Sequence, residues 1–387
     1  MPDTTLPGTD TPFDDLPADL LDDLRTLVEC ESPSSDPEAL ARSADLVAGL
    51  GTRLLGAEPE RLGIHLRWRL GGPTRVLVLA HHDTVWPVGS LRTHPFAVTD
   101  GVLRGPGSFD MKTGLVMALH ALASLDDRTG VTLLVTGDEE LGSPSSRALI
   151  EDEARGAHAA LVLEASADGG ALKLERKGTS IYEVVLAGRA AHAGLEPEKG
   201  VNASVELAHQ VLAVAALGDP ELGTTVVPTV AAAGTTRNTV PAAASFAVDV
   251  RARTVAEQVR VDTALRALTP VQPGAAITIE GGINRPPLER ALSADLFARA
   301  QRLSAEAGLP PLTGVAVGGA SDGNFTAGVG TPTLDGLGAV GGGAHADDEH
   351  VLVDRIPGRT ALLRALLVDL VTDQPADQPA DGARAGV

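Results

Sequence analysis

Histidines and carboxylates stand at the ends of apolar runs. Val76-Leu77-Val78-Leu79-Ala80 leads into His81-His82-Asp83-Thr84, and Val131 to Thr136 leads through Gly137 into Asp138-Glu139-Glu140. The run from Ala159 to Leu163 ends on Glu164. Asp110 follows the turn Gly105-Pro106-Gly107-Ser108-Phe109, and His345 follows Gly341-Gly342-Gly343-Ala344. Gathering so many carboxylates is costly unless a cation neutralises them. A divalent metal ion does so, or two ions sharing a carboxylate, and two His with three carboxylates suit zinc. Taken singly, His82, Asp138, Asp347, Asp348 and His350 read as ordinary loop carboxylates or satisfied histidines.

The elements around these residues explain why they should meet. Leu16 to Glu29 and Pro37 to Leu55 have helical apolar spacing, with Asp36 near the second start. Val76–Ala80, Val131–Thr136 and Ala159–Leu163 read as buried strands, with an apolar helix over Thr113–Leu125. Strands alternating with helices imply an α/β fold with a mainly parallel sheet and helices on both faces. Strand C-termini then share one edge, where ligands bind, so His81, Asp83, Asp110, Glu139, Glu140 and Glu164 should converge there.

After Lys177 the pattern changes to strand Ser180–Ala187, helix Asn202–Ala216, strands Thr225–Ala233 and Ala244–Ala252, helix Val255–Leu268 and strand Ala276–Glu280. That order is the split βαβ of a ferredoxin-like α+β domain. The expected division is a catalytic domain over 1–177 and 285–372, an insert over 178–284, and a disordered tail over 373–387. A loose N-terminal arm precedes the first helix. In the resumed α/β part, helices are expected over Leu292–Ala307 and Pro357–Thr372 and a strand over Thr331–Leu334.

A length of 387 residues fits two domains or one with a large insertion. The net charge of −20 and 2% aromatic content argue against nucleic-acid binding, and the charge also argues against anionic membranes. A single cysteine, Cys30, excludes an internal disulfide and a cysteine-rich metal cluster. No apolar run reaches the roughly 18 residues a membrane helix needs. The acidic N-terminus has no basic and apolar leader pattern, so a cytoplasmic location is expected.

Several motifs then occur together, in order, over nearly the whole chain. They are Ala-His-His-Asp-Thr-Val at 80–85, Gly-Pro-Gly-Ser-Phe-Asp-Met-Lys-Thr-Gly at 105–114 and Gly-Asp-Glu-Glu-Leu-Gly-Ser at 137–143. Leu-Glu-Ala-Ser at 163–166, Ala-His-Ala-Gly at 191–194 and Gly-Gly-Ala-His at 342–345 complete the set. The sequence resembles the zinc-dependent exopeptidases and deacylases that include glutamate carboxypeptidase, acetylornithine deacetylase, succinyl-diaminopimelate desuccinylase and aminoacylase. It is most similar to the glutamate carboxypeptidase branch.

The resemblance implies two Zn2+ per chain, with Co2+ or Mn2+ as substitutes. His81, Asp110 and Glu164 would hold one ion, and His345, Glu140 and the shared Asp110 the other. Asp83 would orient His81, and Glu139 would be the general base. Neighbouring side chains on extended backbone diverge, which agrees with one of Glu139 and Glu140 ligating and the other handling protons. In the insert, the resemblance gives His192 an oxyanion-stabilising role reaching a partner subunit's site, and hence a homodimer. Asn238, Arg285 and the Gly-rich run around Gly319 would contact the substrate, with Arg285 clamping a free carboxylate. Arg176, Lys177 and Arg237 could add positive charge or be solvated.

The implied activity is hydrolysis of the amide bond of an N-acyl amino acid or peptide beside a free carboxylate. The alternative is a deacylase of the acetylornithine deacetylase, desuccinylase or aminoacylase type. A one-metal hydrolase and a non-catalytic binding relative are the readings from other classes. Met111 stands where some members carry an Asp, and members often have a cis peptide bond there. Lys112 is expected to be structural, and Trp86 to wall the pocket.

Overall fold

The computed structural model describes residues 18–373. The expected N-terminal arm and all of the expected tail but Asp373 lie outside that range. The described chain forms two compact units.

The first unit takes the chain up to Leu172, Asp295–Gly314 and the part from Thr331 onward. Its six-stranded sheet runs in the order Glu60–Leu62, His65–Arg69, Val131–Thr136, Val76–His81, Ala159–Val162, Thr333–Leu334. The last four strands are mutually parallel, and His65–Arg69 runs antiparallel to both of its neighbours, so the sheet is mixed. The three central strands are Val-, Leu- and Ala-rich and buried along their whole length, as strands covered on both faces must be. Helices Thr113–Ala123 and Ile356–Thr372 pack with Val76–His81, and Pro37–Leu55 packs with His65–Arg69 and with Thr113–Ala123. Asp36 caps Pro37–Leu55 by accepting from the amides of Glu38 and Ala39, and Gly56 ends it in the left-handed conformation.

The antiparallel extension His65–Arg69 escapes the sequence pattern because Leu66 and Trp68 alternate with Arg67 and Arg69 in only five residues. A small antiparallel sheet, also unanticipated, joins Gly341–Gly342, His350–Leu352, Val102–Arg104 and Ala97–Thr99. Its strands are two or three residues long, too short for any period to register.

The second unit comprises Lys173–Ala294 and Val315–Gly330. Its four-stranded antiparallel sheet has the order Thr225–Ala233, Ala243–Ala252, Gly178–Ala187, Ala276–Arg285. Helices Ala203–Ala215 and Val255–Arg266 complete the β-α-β-β-α-β order. Burial alternates strictly along Ala243–Ala252, and Phe246, Val248 and Val250 join Tyr182, Val184 and Val261 in one core. This unit is wider than the expected 178–284, and Val315–Gly330 belongs to it. Arg285 pairs with Asp322 at 3.1 Å, and the Asn324 amide donates to the carbonyls of Pro286 (2.8 Å) and Lys177 (3.2 Å). Among the described residues no helix is long and apolar enough to cross a membrane.

Candidate active site

Strand register sets the site. Val76–His81 pairs in parallel with Val131–Thr136, His81 opposite Thr136, and with Ala159–Val162, Leu79 opposite Val162. His81, the Asp138–Glu140 turn and Glu164 therefore leave the sheet at the same edge. Asp110 reaches that edge on the Gly105–Lys112 loop. Gly107 there has φ +68°, and a Cβ on it would meet Thr84 Cγ2 at 2.4 Å, so the turn requires glycine. The Asp110–Met111 peptide is cis. Helix Thr113–Ala123 follows, and its Gly114 lies against the carbonyl of Leu163, where a Cβ would stand 2.1 Å from the oxygen. His345 comes from the Gly-rich loop after Gly341–Gly342 and has a left-handed backbone, φ +63°.

Two groups result, His81–Asp110–Glu164 and Asp110–Glu140–His345, each with ligand-capable atoms within 4.8 Å of one another. His81 Nε2 lies 3.3 Å from Asp110 Oδ1 and 3.6 Å from Glu164 Oε1. His345 Nε2 lies 3.2 Å from Asp110 Oδ2 and 3.2 Å from Glu140 Oε2. The two Asp110 oxygens thus face different imidazoles. His81 is 1% exposed, whereas the His345 side chain is 49% exposed, so the first group is closed and the second open.

The donor set fits divalent cations. His81 Nε2, Asp110 Oδ1 and Glu140 Oε1 are buried without a hydrogen-bond partner, an arrangement rare unless something else satisfies them. His81 Nδ1 lies 3.0 Å from the carbonyl of Asp83, which can only accept; Nδ1 therefore carries a proton, and in the neutral ring Nε2 presents a lone pair to the group. The charges tell the same story. Burial pushes His81 down, but the nearby carboxylates of Asp110, Asp83 and Glu164 outweigh it and raise it well above the usual imidazole range. Hydrogen bonds to Asp110 and Glu140 hold His345 up at about 10. Burial would raise Asp110, yet the two histidines hold it far below the usual carboxylate range. Burial raises Glu140. The cluster calls for positive charge, as a site built for cations does.

Asp83 is fully buried and does more than face His81. Its carboxylate is 3.4 Å from His81 Nδ1, and it accepts from Ser34 Oγ (2.7 Å) and from the amides of Glu139 (3.3 Å) and Glu140 (3.1 Å). It thereby ties the first strand end to the second. Glu139 is buried and belongs to neither group. Lys112 is buried and donates to the carbonyl of Cys30 at 2.9 Å, a structural role.

The residues read as ordinary divide. His82 is a satisfied core histidine, its ring nitrogens at 3.0 Å from Ser43 Oγ and 2.9 Å from the carbonyl of Ile64. Asp138 is buried rather than a surface carboxylate, and accepts from Ser145 and Ser146. Asp347 and Asp348 are exposed, and His350 is half-buried. Sequence reading passed over Glu349, which is buried and accepts from three amides of the Asp110 loop. Its only signal was its position two residues ahead of the apolar pair Val351-Leu352, at the end of the acidic run Asp347-Asp348-Glu349 that reads as solvated.

The remaining expected site residues belong to the second unit. His192 is exposed, and its Nδ1 accepts from the amides of Gly194 and Leu195, both at 3.1 Å, which leaves Nε2 as the protonated nitrogen of the neutral ring. Asn238 is exposed, and its carbonyl accepts from the amide of Ala193. Arg285 ends its strand, which continues past the expected limit at Glu280. It is buried beside Asp322, with its guanidinium 5.2 Å from the Phe325 ring centre. Gly319 is exposed, and its carbonyl accepts from Arg176. Arg237 is exposed and Lys177 half-buried.

Comparison with known proteins finds relatives over most of the chain. The model of Peptidase family M20/M25/M40 matches residues 77–369. Carboxypeptidase G2 of Pseudomonas sp. (strain RS-16) is 31% identical over 376 residues, covering 92% of this chain and 90% of the relative. A succinyl-diaminopimelate desuccinylase of Methylorubrum extorquens (strain PA1) is 29% identical, covering 89% and 96%. Among solved structures, aminopeptidase PepT from Bacillus cereus superposes with a TM-score of 0.71 at 21% identity, covering 91% of this chain and 98% of that one, a likeness of fold.

Proposed function

The chain belongs to Peptidase family M20/M25/M40 and is a hydrolytic metalloenzyme, and from that premise we propose that it uses two Zn2+ ions to cleave an N-acyl amino acid or peptide beside a free carboxylate. The observation that carries this reading is Asp110, whose two oxygens lie 3.3 Å and 3.2 Å from the Nε2 atoms of His81 and His345. His81, Asp110 and Glu164 would hold one ion; Asp110, Glu140 and His345 the other. Co2+ or Mn2+ would serve as substitutes.

When bound, the ions supply Lewis acidity toward the amide carbonyl and make water acidic near neutral pH. Glu139 takes a proton from the attacking water at a carboxylate oxygen. As the C–N bond breaks, Glu139 returns that proton to the leaving nitrogen, so the water's oxygen ends on the acyl carbon and its hydrogen on the amine. Asp83 holds His81 and the Glu139–Glu140 turn in register. The protonated Nε2 of His192 suits an oxyanion donor. Arg285 would pair with the substrate carboxylate, Asp322 holding its planar fork, while Asn238 and the amides near Gly319 add hydrogen bonds.

We also propose a homodimer formed through the second unit. Thr225–Ala233 is an edge strand whose residues from Thr229 to Ala233 are all exposed, Val230 at 73%.

The test is amino-acid release from a panel of N-acyl amino acids and dipeptides, with zinc-loaded and chelated protein. Chelator-sensitive release of one C-terminal amino-acid class is expected. No release from either set by protein carrying both ions would overturn the substrate assignment. Release confined to acetyl- or succinyl-diamino acids would favour the deacylase reading, which the desuccinylase relatives support.

A further inference from the structure

The Asp110 loop and the His345 loop leave one small sheet side by side. Val102–Arg104 pairs antiparallel with His350–Leu352, His350 opposite Arg104. The chain beyond Arg104 runs toward Asp110, and the chain before His350 runs back to His345. Each loop carries a carboxylate or imidazole of the open group, yet neither is regular structure. Something must fix their separation.

Glu349 is that connection. It is 3% exposed. Its Oε1 accepts from the amides of Phe109 (2.8 Å) and Asp110 (3.1 Å). Its Oε2 accepts from the amide of Gly107 (3.0 Å) and from Trp86 Nε1 (2.6 Å). Three converging backbone amides make an anion cradle, here filled by a side chain of the same chain. The amide of Glu349 itself donates to the carbonyl of Ala346, and that of Ala346 to Gly343, so the carboxylate is rigidly joined to the His345 turn.

We propose that Glu349 is a positioning residue that sets the Asp110–His345 separation, and so the affinity of the open metal position. This rests on the metal reading above. The chemistry demands a carboxylate. Four donors point at two oxygens, so a carboxamide would turn one of its own donors against either Phe109 and Asp110 or Gly107 and Trp86. An aspartate keeps the charge but is one methylene too short to reach all four.

The test is Zn2+ affinity, measured by competition with a chromophoric chelator, alongside urea unfolding of the metal-free chain. Wild-type protein is measured first; failure to take up zinc would overturn the metal reading itself, and the role of Glu349 with it. In E349Q one zinc should bind about 10- to 100-fold more weakly while the other is little changed. E349D, which keeps the charge if E349Q fails to fold, should lose affinity at the same position by a smaller factor. With a substrate identified by amino-acid release, kcat should fall more than KM rises. E153Q, which alters another buried carboxylate of the same unit, controls for lost stability and should keep both affinities. Wild-type zinc affinity in folded E349Q and E349D would overturn the proposal, as would an equal loss in E153Q.

Discussion

The two units handle their polar residues differently. In the first, His81, Asp83, Asp110, Glu139 and Glu164 sit at ends of buried elements, held by strand register and by hydrogen bonds from several directions. In the second, His192, Asn238 and Gly319 lie exposed on loops, while Arg285 is buried against Asp322 and Arg176 is buried with its guanidinium on the Gly319 carbonyl. A site that must hold fixed charges close together is prepaid by the fold, whereas groups that meet a substrate can wait in solvent. Substitutions at the proposed ligands and their frame in the first unit should therefore act through metal and stability, while Glu139, which belongs to neither group, and the exposed loop residues of the second unit should act through turnover.

The largest expected effect tests the division within the first unit. E139Q should bind zinc like wild type while kcat falls about 10³- to 10⁴-fold, the scale of a lost general base. Loss of zinc instead would make Glu139 a ligand. H192A probes the second unit. It should lower kcat about 10²- to 10³-fold, the scale of one oxyanion donor, with zinc content and unfolding midpoint unchanged. A shifted midpoint would mean that the exposed loop is part of the frame.

Smaller effects probe the frame directly. G114A puts a Cβ against the Leu163 carbonyl beside Glu164, and should cost about 1–3 kcal/mol and weaken zinc binding. Unchanged stability and zinc binding would mean that the helix start yields easily. E153Q is expected to act on stability alone, by about 1–3 kcal/mol at neutral pH. Burial pushes Glu153 up, but the hydrogen bonds from Arg69 and Thr74 and the charges of Arg69 and Arg67 outweigh it and hold the carboxyl below its usual 4.5. A folded-state carboxyl held low stabilises above pH 4.5, and that contribution drains away as pH falls through the lowered value. Unfolding midpoints of E153Q should thus fall less steeply than wild type below that pH; parallel curves would remove Glu153 from the acid response.

The parts of the fold legible in the sequence are those with long, one-sided patterns. Val76–His81 and Val131–Thr136 are uninterrupted apolar strands, and each ends on the groups that meet at the site. The split βαβ order could be read because its strands are nine or ten residues long. What escaped was short or charged. His65–Arg69 alternates arginine with apolar residues, and the small sheet beside Asp110 has strands of only two or three residues. Glu349 escaped because burial of a carboxylate depends on amides from a loop some 240 positions away, which no local pattern encodes.

The central claim is that Asp110 joins two metal positions. Its most direct measurement is zinc bound per chain at equilibrium, in wild type, H345A and D110A. The account predicts two ions in wild type, one in H345A, where the closed His81–Asp110–Glu164 group survives, and neither bound tightly in D110A. One ion in wild type, or two in D110A, would contradict it.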